Sequence, residues 1–313
     1  MNILVMGAGA MGSVFGAFLA EAGHHVHLVG REPHMAAVQE KGISVGGIWG
    51  EHLARNVAVH TSASQAHRDP FDLVLITTKA YDTERAAKEV KPLLGPGTLV
   101  VSIQNGLGNY EAISTQVGAE RTIISRVIFG VDVVQEGRVE VTVHGGDCML
   151  GNPAGAVPVP RIKGIARTFT EAGIKAEATE QIMGFVWGKL LYNCCLNPLS
   201  AILGVPYGHL LRTEETRAIM TSVVQESFAV AEKRRVPLLW ASPEEYRRLL
   251  FEQLIPNTAG HYASMYADLK RGKRTEIDAL NGAVARLGRE AETPSPTNEF
   301  LTSLIKAREQ LRS

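Results

Sequence analysis

The first half of the chain sets short apolar runs between stretches of helical period. Asn2–Met6 (NILVM) shows no polar alternation, the pattern of a strand covered on both faces of a parallel sheet. A glycine-rich turn follows, then an apolar-periodic helix to about Ala22, with Gly23 placed to end it. His25–Gly30 (HVHLVG), Phe71–Thr77 (FDLVLIT) and Leu99–Ile103 (LVVSI) read as further strands. From about Ile123 to Leu150 the pattern becomes VIFGVDVV, Glu136-Gly137, RVEVTVHG, which predicts β-structure with a turn, as antiparallel edge strands. Asn152–Pro160 is a Pro/Gly loop, Ile162–Ala172 a helix and Ile174–Ala178 a last short strand.

Past a boundary near Glu180 no strand pattern remains. Helices are expected over Leu210–Arg235, Pro243–Gln253, Thr258–Arg271 and Thr275–Glu292; Pro294 and Pro296 interrupt the chain before a final helix, Thr297–Leu311. The chain therefore reads as an α/β domain over residues 1–180 followed by an all-helical domain over residues 181–313. The helical part opens with Gln181–Gly204, long, mostly apolar and carrying one positive charge, Lys189. On a helix Lys189, Asn193 and Asn197 fall at i, i+4 and i+8, on one face. Ile182, Phe185, Val186, Leu190, Leu191, Leu196 and Leu199 cover the other faces, so most of this helix should be buried. A lysine and two amides on a buried stripe need partners, and a pocket for a polar substrate supplies them. Taken by itself, the stretch is equally served by a lysine reaching the surface beside capping amides.

Composition narrows the classes. The 313 residues suffice for two domains with proper cores, and 45% are hydrophobic, as in globular proteins. Lys plus Arg and Asp plus Glu are both 32, giving zero net charge, which argues against nucleic acid or an anionic membrane as main partner. The cluster Lys270, Arg271, Lys273 and Arg274 reads as a solvated helix end. Cys148, Cys194 and Cys195 have no metal-ligand spacing and read as reduced core residues; no metal site is expected. Met1 leads straight into a strand, so no secretory leader is expected, and no apolar run reaches the roughly 18 residues a membrane span needs. A cytoplasmic protein is the expectation.

The strongest chemical signal is Gly7-Ala8-Gly9-Ala10-Met11-Gly12, a G-x-G-x-x-G turn in its required setting of strand, turn, helix, strand. Gly7 permits the tight turn, Gly9 lets backbone approach a pyrophosphate, and Gly12 lets the helix pack close to the strand. The end of the second strand chooses the nucleotide. It carries Arg31, whose planar guanidinium suits the 2′-phosphate of NADP(H); Glu32 beside it could serve an NAD ribose. Lys79 and Asn105 follow the next two strands, at the carboxyl edge where open α/β sheets bind ligands. Asn105-Gly106 is also a common turn pair.

These residues together resemble the ketopantoate reductase (2-dehydropantoate 2-reductase) family over essentially the whole chain. The resemblance rests on GAGAMG, Arg31, Lys79, Asn105-Gly106, WGKLLYNCCLNPLSA, Ser264-Met265, and Arg274-Thr275-Glu276-Ile277-Asp278 with Asn281-Gly282. It implies a Rossmann-type dinucleotide-binding domain and an all-helical C-terminal domain, with the active site between them. It implies NADPH-dependent reduction of 2-dehydropantoate to (R)-pantoate, toward pantothenate and coenzyme A. Lys189 then looks like the general acid, and Glu276 its partner, touching the cofactor as well. Asn105 looks like a cofactor and substrate contact; Asn193, Asn197 and Ser264 look like substrate contacts. The chemistry agrees, because hydride delivery to a ketone leaves charge on oxygen that an ammonium stabilises and protonates. Two positions depart from the family pattern: where asparagines that read the substrate are expected, this chain has Tyr207 and His261. They open a second reading, a related reductase of another 2-keto acid. A β-hydroxyacid dehydrogenase would not need the TEID-x-x-NG stretch, and a non-catalytic NADP sensor would not need Lys189. A homodimer is left open.

Overall fold

The computed structural model describes residues 1–66 and 70–311. Its contacts divide the chain into two compact units. One comprises Met1–Gln104 and Gly108–Ile182; the other comprises Asn105–Leu107 and the chain from Met183 onward.

Among its described residues the first unit holds twelve strands: β1 Asn2–Met6, β2 His25–Val29, β3 Ile43–Gly47, β4 His52–Ala54, β5 Val57–His60, β6 Phe71–Ile76, β7 Leu94–Ser102, β8 Thr122–Arg126, β9 Phe129–Gln135, β10 Arg138–His144, β11 Cys148–Gly151 and β12 Ala176–Ala178. Its helices are α1 Ala10–Glu21, α2 Glu32–Lys41, α3 Thr83–Val90, α4 Asn109–Val117 and α5 Val159–Glu171. Eight strands form one sheet in the order β12-β11-β8-β7-β6-β1-β2-β5. From β5 to β8 all pairings are parallel, in the doubly wound order of dinucleotide-binding domains. Ile3 and Val5 bury into one core, Leu4 and Met6 into the core on the opposite face. That two-sided burial is why the first run has no polar positions.

The region from Ile123 to Leu150 differs from the expectation of edge strands. Its first segment, β8, is a parallel member of the main sheet beside β7. The hairpin β9–β10 lies instead in a separate sheet of order β4-β3-β10-β9. Its strands alternate, with Val139 and Val141 fully buried, as suits a sheet with one covered face. Part of that cover is α1, where Phe15 packs on Phe129 of β9 at 6.1 Å between ring centroids.

Among its described residues the second unit has no strand; its α-helices are α6 Ile182–Leu203, whose first residue still belongs to the first unit, α7 Glu214–Lys233, α8 Pro243–Leu249, α9 Ile255–Asn257, α10 Ser264–Lys270, α11 Asn281–Glu290 and α12 Pro296–Gln310. A single π-helical stretch, Leu250–Leu254, joins α8 to α9. Three helices start later than their periodicity predicts. Thr213 caps α7 by accepting from Thr216 N at 3.2 Å. The α-helices are interrupted before α10 and α11: Ser264 opens α10, and Glu276 stands before a 3-10 turn, Ile277–Ala279, that precedes α11. Trp187, Leu190, Leu191, Cys194 and Cys195 place α6 in the core of this unit. Burial pushes the Cys194 and Cys195 thiols well up, which suits the expected reduced core role. No helix among the described residues is long and apolar enough to cross a membrane, and no cluster of potential metal ligands occurs among them.

Candidate active site

In the first unit the glycine turn is built by close approach. Gly7 has φ +109°, and a Cβ there would lie 2.6 Å from Thr78 N; a Cβ on Gly12 would lie 2.6 Å from Gly7 O. Gly9 differs: it is exposed, and a Cβ there would meet nothing nearer than Gly7 O at 3.9 Å. The open space over Gly9 adjoins the first amides of α1, which no side chain caps. Ala8 is buried, its N–H donating to Val29 O at 2.8 Å, while Ala10 and Met11 are half-buried at the helix start. This is the cradle a pyrophosphate requires.

Arg31 is exposed at the end of β2, where it is the residue preceding α2. Two residues that sequence reasoning gave no role hold this edge. His34, buried in α2, pairs through Nε2 with Ser13 Oγ at 3.0 Å and accepts from Gly137 N at Nδ1 at 3.1 Å, so α2 is fixed against α1. Burial lowers its pKa against the opposing pull of Glu136, whose carboxylate lies 3.3 Å from Nδ1. Gln104 Nε2 donates to Thr78 O at 2.9 Å and Thr83 Oγ1 at 2.7 Å, tying the end of β7 to the end of β6, where half-buried Lys79 stands.

The lysine stripe forms in the second unit as its spacing predicts. Lys189 Nζ donates to Asn105 Oδ1 at 2.5 Å. Asn105 is delivered by a segment that docks on the TEID stretch: Leu107 N donates to Ala279 O at 2.9 Å. Gly106 has φ +83°, and a Cβ there would lie 2.7 Å from the Ala279 methyl. The Asn-Gly pair is thus a requirement of this docking, not a generic turn. Asn193 and Asn197 follow Lys189 along α6, 9% and 6% exposed. Asn197 Oδ1 accepts from Tyr207 OH at 2.8 Å. Among the described residues neither Asn197 Nδ2 nor the Asn193 amide has a hydrogen-bond partner, and neither is sealed from solvent, so both keep capacity for a ligand.

Pro198 lies inside α6 and has no N–H to give the carbonyl four residues earlier, Cys194 O. Asn281 Nδ2 replaces it, donating to Cys194 O at 3.1 Å and to Asn298 Oδ1 at 3.0 Å. The Asn-Gly of the second motif is therefore a tie to the lysine helix, another role that sequence reasoning missed, although Pro198 at the fourth place after Cys194 signals the need for an outside donor. Glu276 is half-buried in the turn before Ile277–Ala279, its carbonyl accepting from Ala279 N at 3.0 Å. Arg274 pairs with Asp278 at 3.1 Å. Ser264 is the exposed first residue of α10. Tyr207 is buried against His261, ring centroids 5.3 Å apart.

A doubly wound sheet with an open glycine cradle, followed by a helical unit that aligns a lysine with buried amides, defines a nicotinamide-dinucleotide oxidoreductase. The comparisons sharpen the class. The chain belongs to the ketopantoate reductase PanE/ApbA family: the model of that description matches residues 3–155, and its C-terminal counterpart matches residues 181–309. A 2-dehydropantoate 2-reductase of Aquifex aeolicus is 42% identical, covering 99% of this chain and 97% of its own length. One of Pyrococcus horikoshii is 34% identical, covering 99% and 98%. Among solved structures, a PanE/ApbA family ketopantoate reductase from Ralstonia eutropha matches at TM-score 0.88 and 33% identity, over 99% of both chains. A D-mandelate dehydrogenase bound to NADH and anilino(oxo)acetate matches at TM-score 0.88 and 29% identity, over 99% of this chain and 98% of its own.

Proposed function

We propose that this protein reduces 2-dehydropantoate to (R)-pantoate with NADPH, a step of pantothenate and coenzyme A biosynthesis. The observation that carries the reading is Lys189 held on Asn105 in line with two buried amides, Asn193 and Asn197, that keep hydrogen-bonding capacity for a ligand. Gly7 to Gly12 and the first amides of α1 would hold the pyrophosphate, and Arg31 the 2′-phosphate. Lys79, Asn105 and Glu276 are assigned to the same cofactor. Bound there, the reduced nicotinamide supplies the hydride.

The chain's own residues do the rest. Asn105 Oδ1 fixes one N–H of Lys189, so the ammonium has a defined direction. As the ketone carbon is reduced, that ammonium stabilises the charge building on oxygen, then gives its Nζ proton to it. Glu276 restrains the lysine on the same face. Asn193, Asn197 and Ser264 orient the carboxylate and the far end of the substrate without bringing a competing base. In this reading residues 1–180 serve the cofactor and residues 181–313 the substrate, with Asn105 serving both. A cytoplasmic location belongs to it as well, and sedimentation tests whether the chain forms a homodimer.

The test is NADPH oxidation with 2-dehydropantoate, beside Lys189→Ala and a panel of other 2-keto acids. The expected result is fast turnover that falls about 10²–10⁴-fold in Lys189→Ala. Unchanged turnover in that variant removes the lysine from the chemistry. Tyr207, His261 and the likeness to a D-mandelate dehydrogenase support a second reading, a reductase of another 2-keto acid; a panel substrate turned over faster than 2-dehydropantoate selects it. NADPH binding with no turnover of any acid leaves a sensor.

A further inference from the structure

Asn197 is a planar amide with two different ends, and which end faces a ligand decides what it can bind. Its Oδ1 is already used by the Tyr207 hydroxyl, at 2.8 Å in a buried setting. The reverse orientation would set Nδ2 against the phenol and leave the hydroxyl proton with no acceptor, at a cost the buried site cannot recover from water. Tyr207 itself is held from all sides. Its N–H donates to His261 O at 3.0 Å, and Gly208 N to Ala259 O at 2.9 Å. Its ring is 3% exposed, edge-on to Tyr192 at 5.8 Å and to His261 at 5.3 Å. Tyr192 is pinned in turn through its hydroxyl to Thr258 Oγ1 at 2.7 Å. Burial pushes the Tyr207 phenol far above its usual range, so the proton stays on the hydroxyl at any working pH.

We propose that Tyr207 is a positioning residue that sets the polarity of Asn197: with Oδ1 engaged by the phenol, Nδ2 is the amide's free donor, and the site favours a substrate with an oxygen acceptor at that point. The inference rests on the reductase reading and deepens it, since it assigns a donor to the second amide of the stripe. A substrate offering a hydrogen or an alkyl group at that point is discriminated against.

The experiment is a double-mutant cycle in KM for the best 2-keto acid: wild type, Tyr207→Phe, Asn197→Ala and the double variant, with NADPH affinity and thermal melting as controls. Tyr207→Phe keeps the ring and frees the amide to turn; KM should rise about 5-fold, the scale of one hydrogen bond, with kcat nearly constant. The double variant should be no worse than Asn197→Ala, because Tyr207 acts through Asn197. Additive losses, or an unchanged KM in Tyr207→Phe, overturn the proposal. Asn197→Asp covers the case where Tyr207→Phe does not fold. It keeps an acceptor for Tyr207 but offers no donor, and should lose at least as much in KM as Asn197→Ala; an unaffected KM overturns the proposal. A wild-type protein that binds NADPH and reduces no 2-keto acid sinks the reductase reading itself, and this inference with it.

Discussion

Replacing Asn281 by alanine tests how the second motif is tied to the lysine helix. Asn281 is 0% exposed, and its amide nitrogen serves two buried acceptors, Cys194 O and Asn298 Oδ1. Truncation orphans both, at about 1–2 kcal/mol each. It also removes Asn281 Oδ1, which has no partner among the described residues, returning about 1 kcal/mol. The space left by three heavy atoms adds about 1 kcal/mol. The net expectation is a loss of about 2–4 kcal/mol in the second unit. Urea unfolding followed by fluorescence measures it: Trp187 and Trp240 lie in that unit, so a Trp49→Phe background isolates their signal. Asn281→Asp is the sharper control. It preserves shape but turns an acceptor-only group toward two acceptors, and should cost more than alanine. A loss below about 0.5 kcal/mol for alanine, or a milder loss for aspartate than for alanine, would refute the reasoning.

Three further outcomes follow from the geometry. Gly106→Ala combines a positive φ with a collision at Ala279, and by moving Asn105 off Lys189 it should lower kcat at least about tenfold; a kcat within twofold of wild type, by about the error of such assays, would count against the docking argument. Arg31→Glu should raise KM for NADPH about 10- to 100-fold while leaving KM for NADH little changed; equal changes for both would remove Arg31 from 2′-phosphate recognition. Stability of the first unit should fall with acid. Burial holds His24, His27, His34 and His60 below the ordinary 6.5 in the folded chain. The unfolded chain therefore takes up more protons as pH drops through 6.5, and stability present above that pH is lost on the way down toward the folded values. Hydrogen bonds point the same way, since His34 Nδ1 accepts from Gly137 N and the His27–His60 pair at 3.0 Å needs at least one bare nitrogen. Thermal melts between about pH 7.5 and 5.5 check this, and a melting point that holds or rises on acidification would contradict it.

What could be read from the sequence was whatever had a strong period or a steric signature. The parallel strands were legible because two-sided burial leaves runs such as NILVM and FDLVLI without polar positions. The glycine turn was legible because Gly7 and Gly12 have no room for a side chain. The stripe of Lys189, Asn193 and Asn197 followed from helix geometry alone. β3, β4 and β5 carried no such signal: they run three to five residues and mix serine, histidine and glycine with their apolar positions, so their pairing across the sheet decides them. The same holds for the hairpin β9–β10, whose turn was evident but whose partner, β3, lies some ninety residues away. The site residues that went unread, His34, Gln104 and Asn281, act through hydrogen bonds between segments distant in the chain. No local pattern names the partner of such a bond, although Pro198 marks a carbonyl that needs one, and the motif around Glu276 departs from the helix its periodicity predicts because its backbone turns to meet the Asn105 segment.

Pro198 and Asn281 make the tolerance of this helix to substitution directional. With the proline in place, loss of Asn281 leaves a carbonyl stranded in the core. With Asn281 in place, an alanine at position 198 costs nothing at that carbonyl, which has lone pairs for both donors. The coupling therefore runs one way: the proline requires the asparagine, and the asparagine does not require the proline. The substitutions that this chain can accept at position 281 are set by a ring eighty-three residues earlier, an instance of contingency written in a single hydrogen bond.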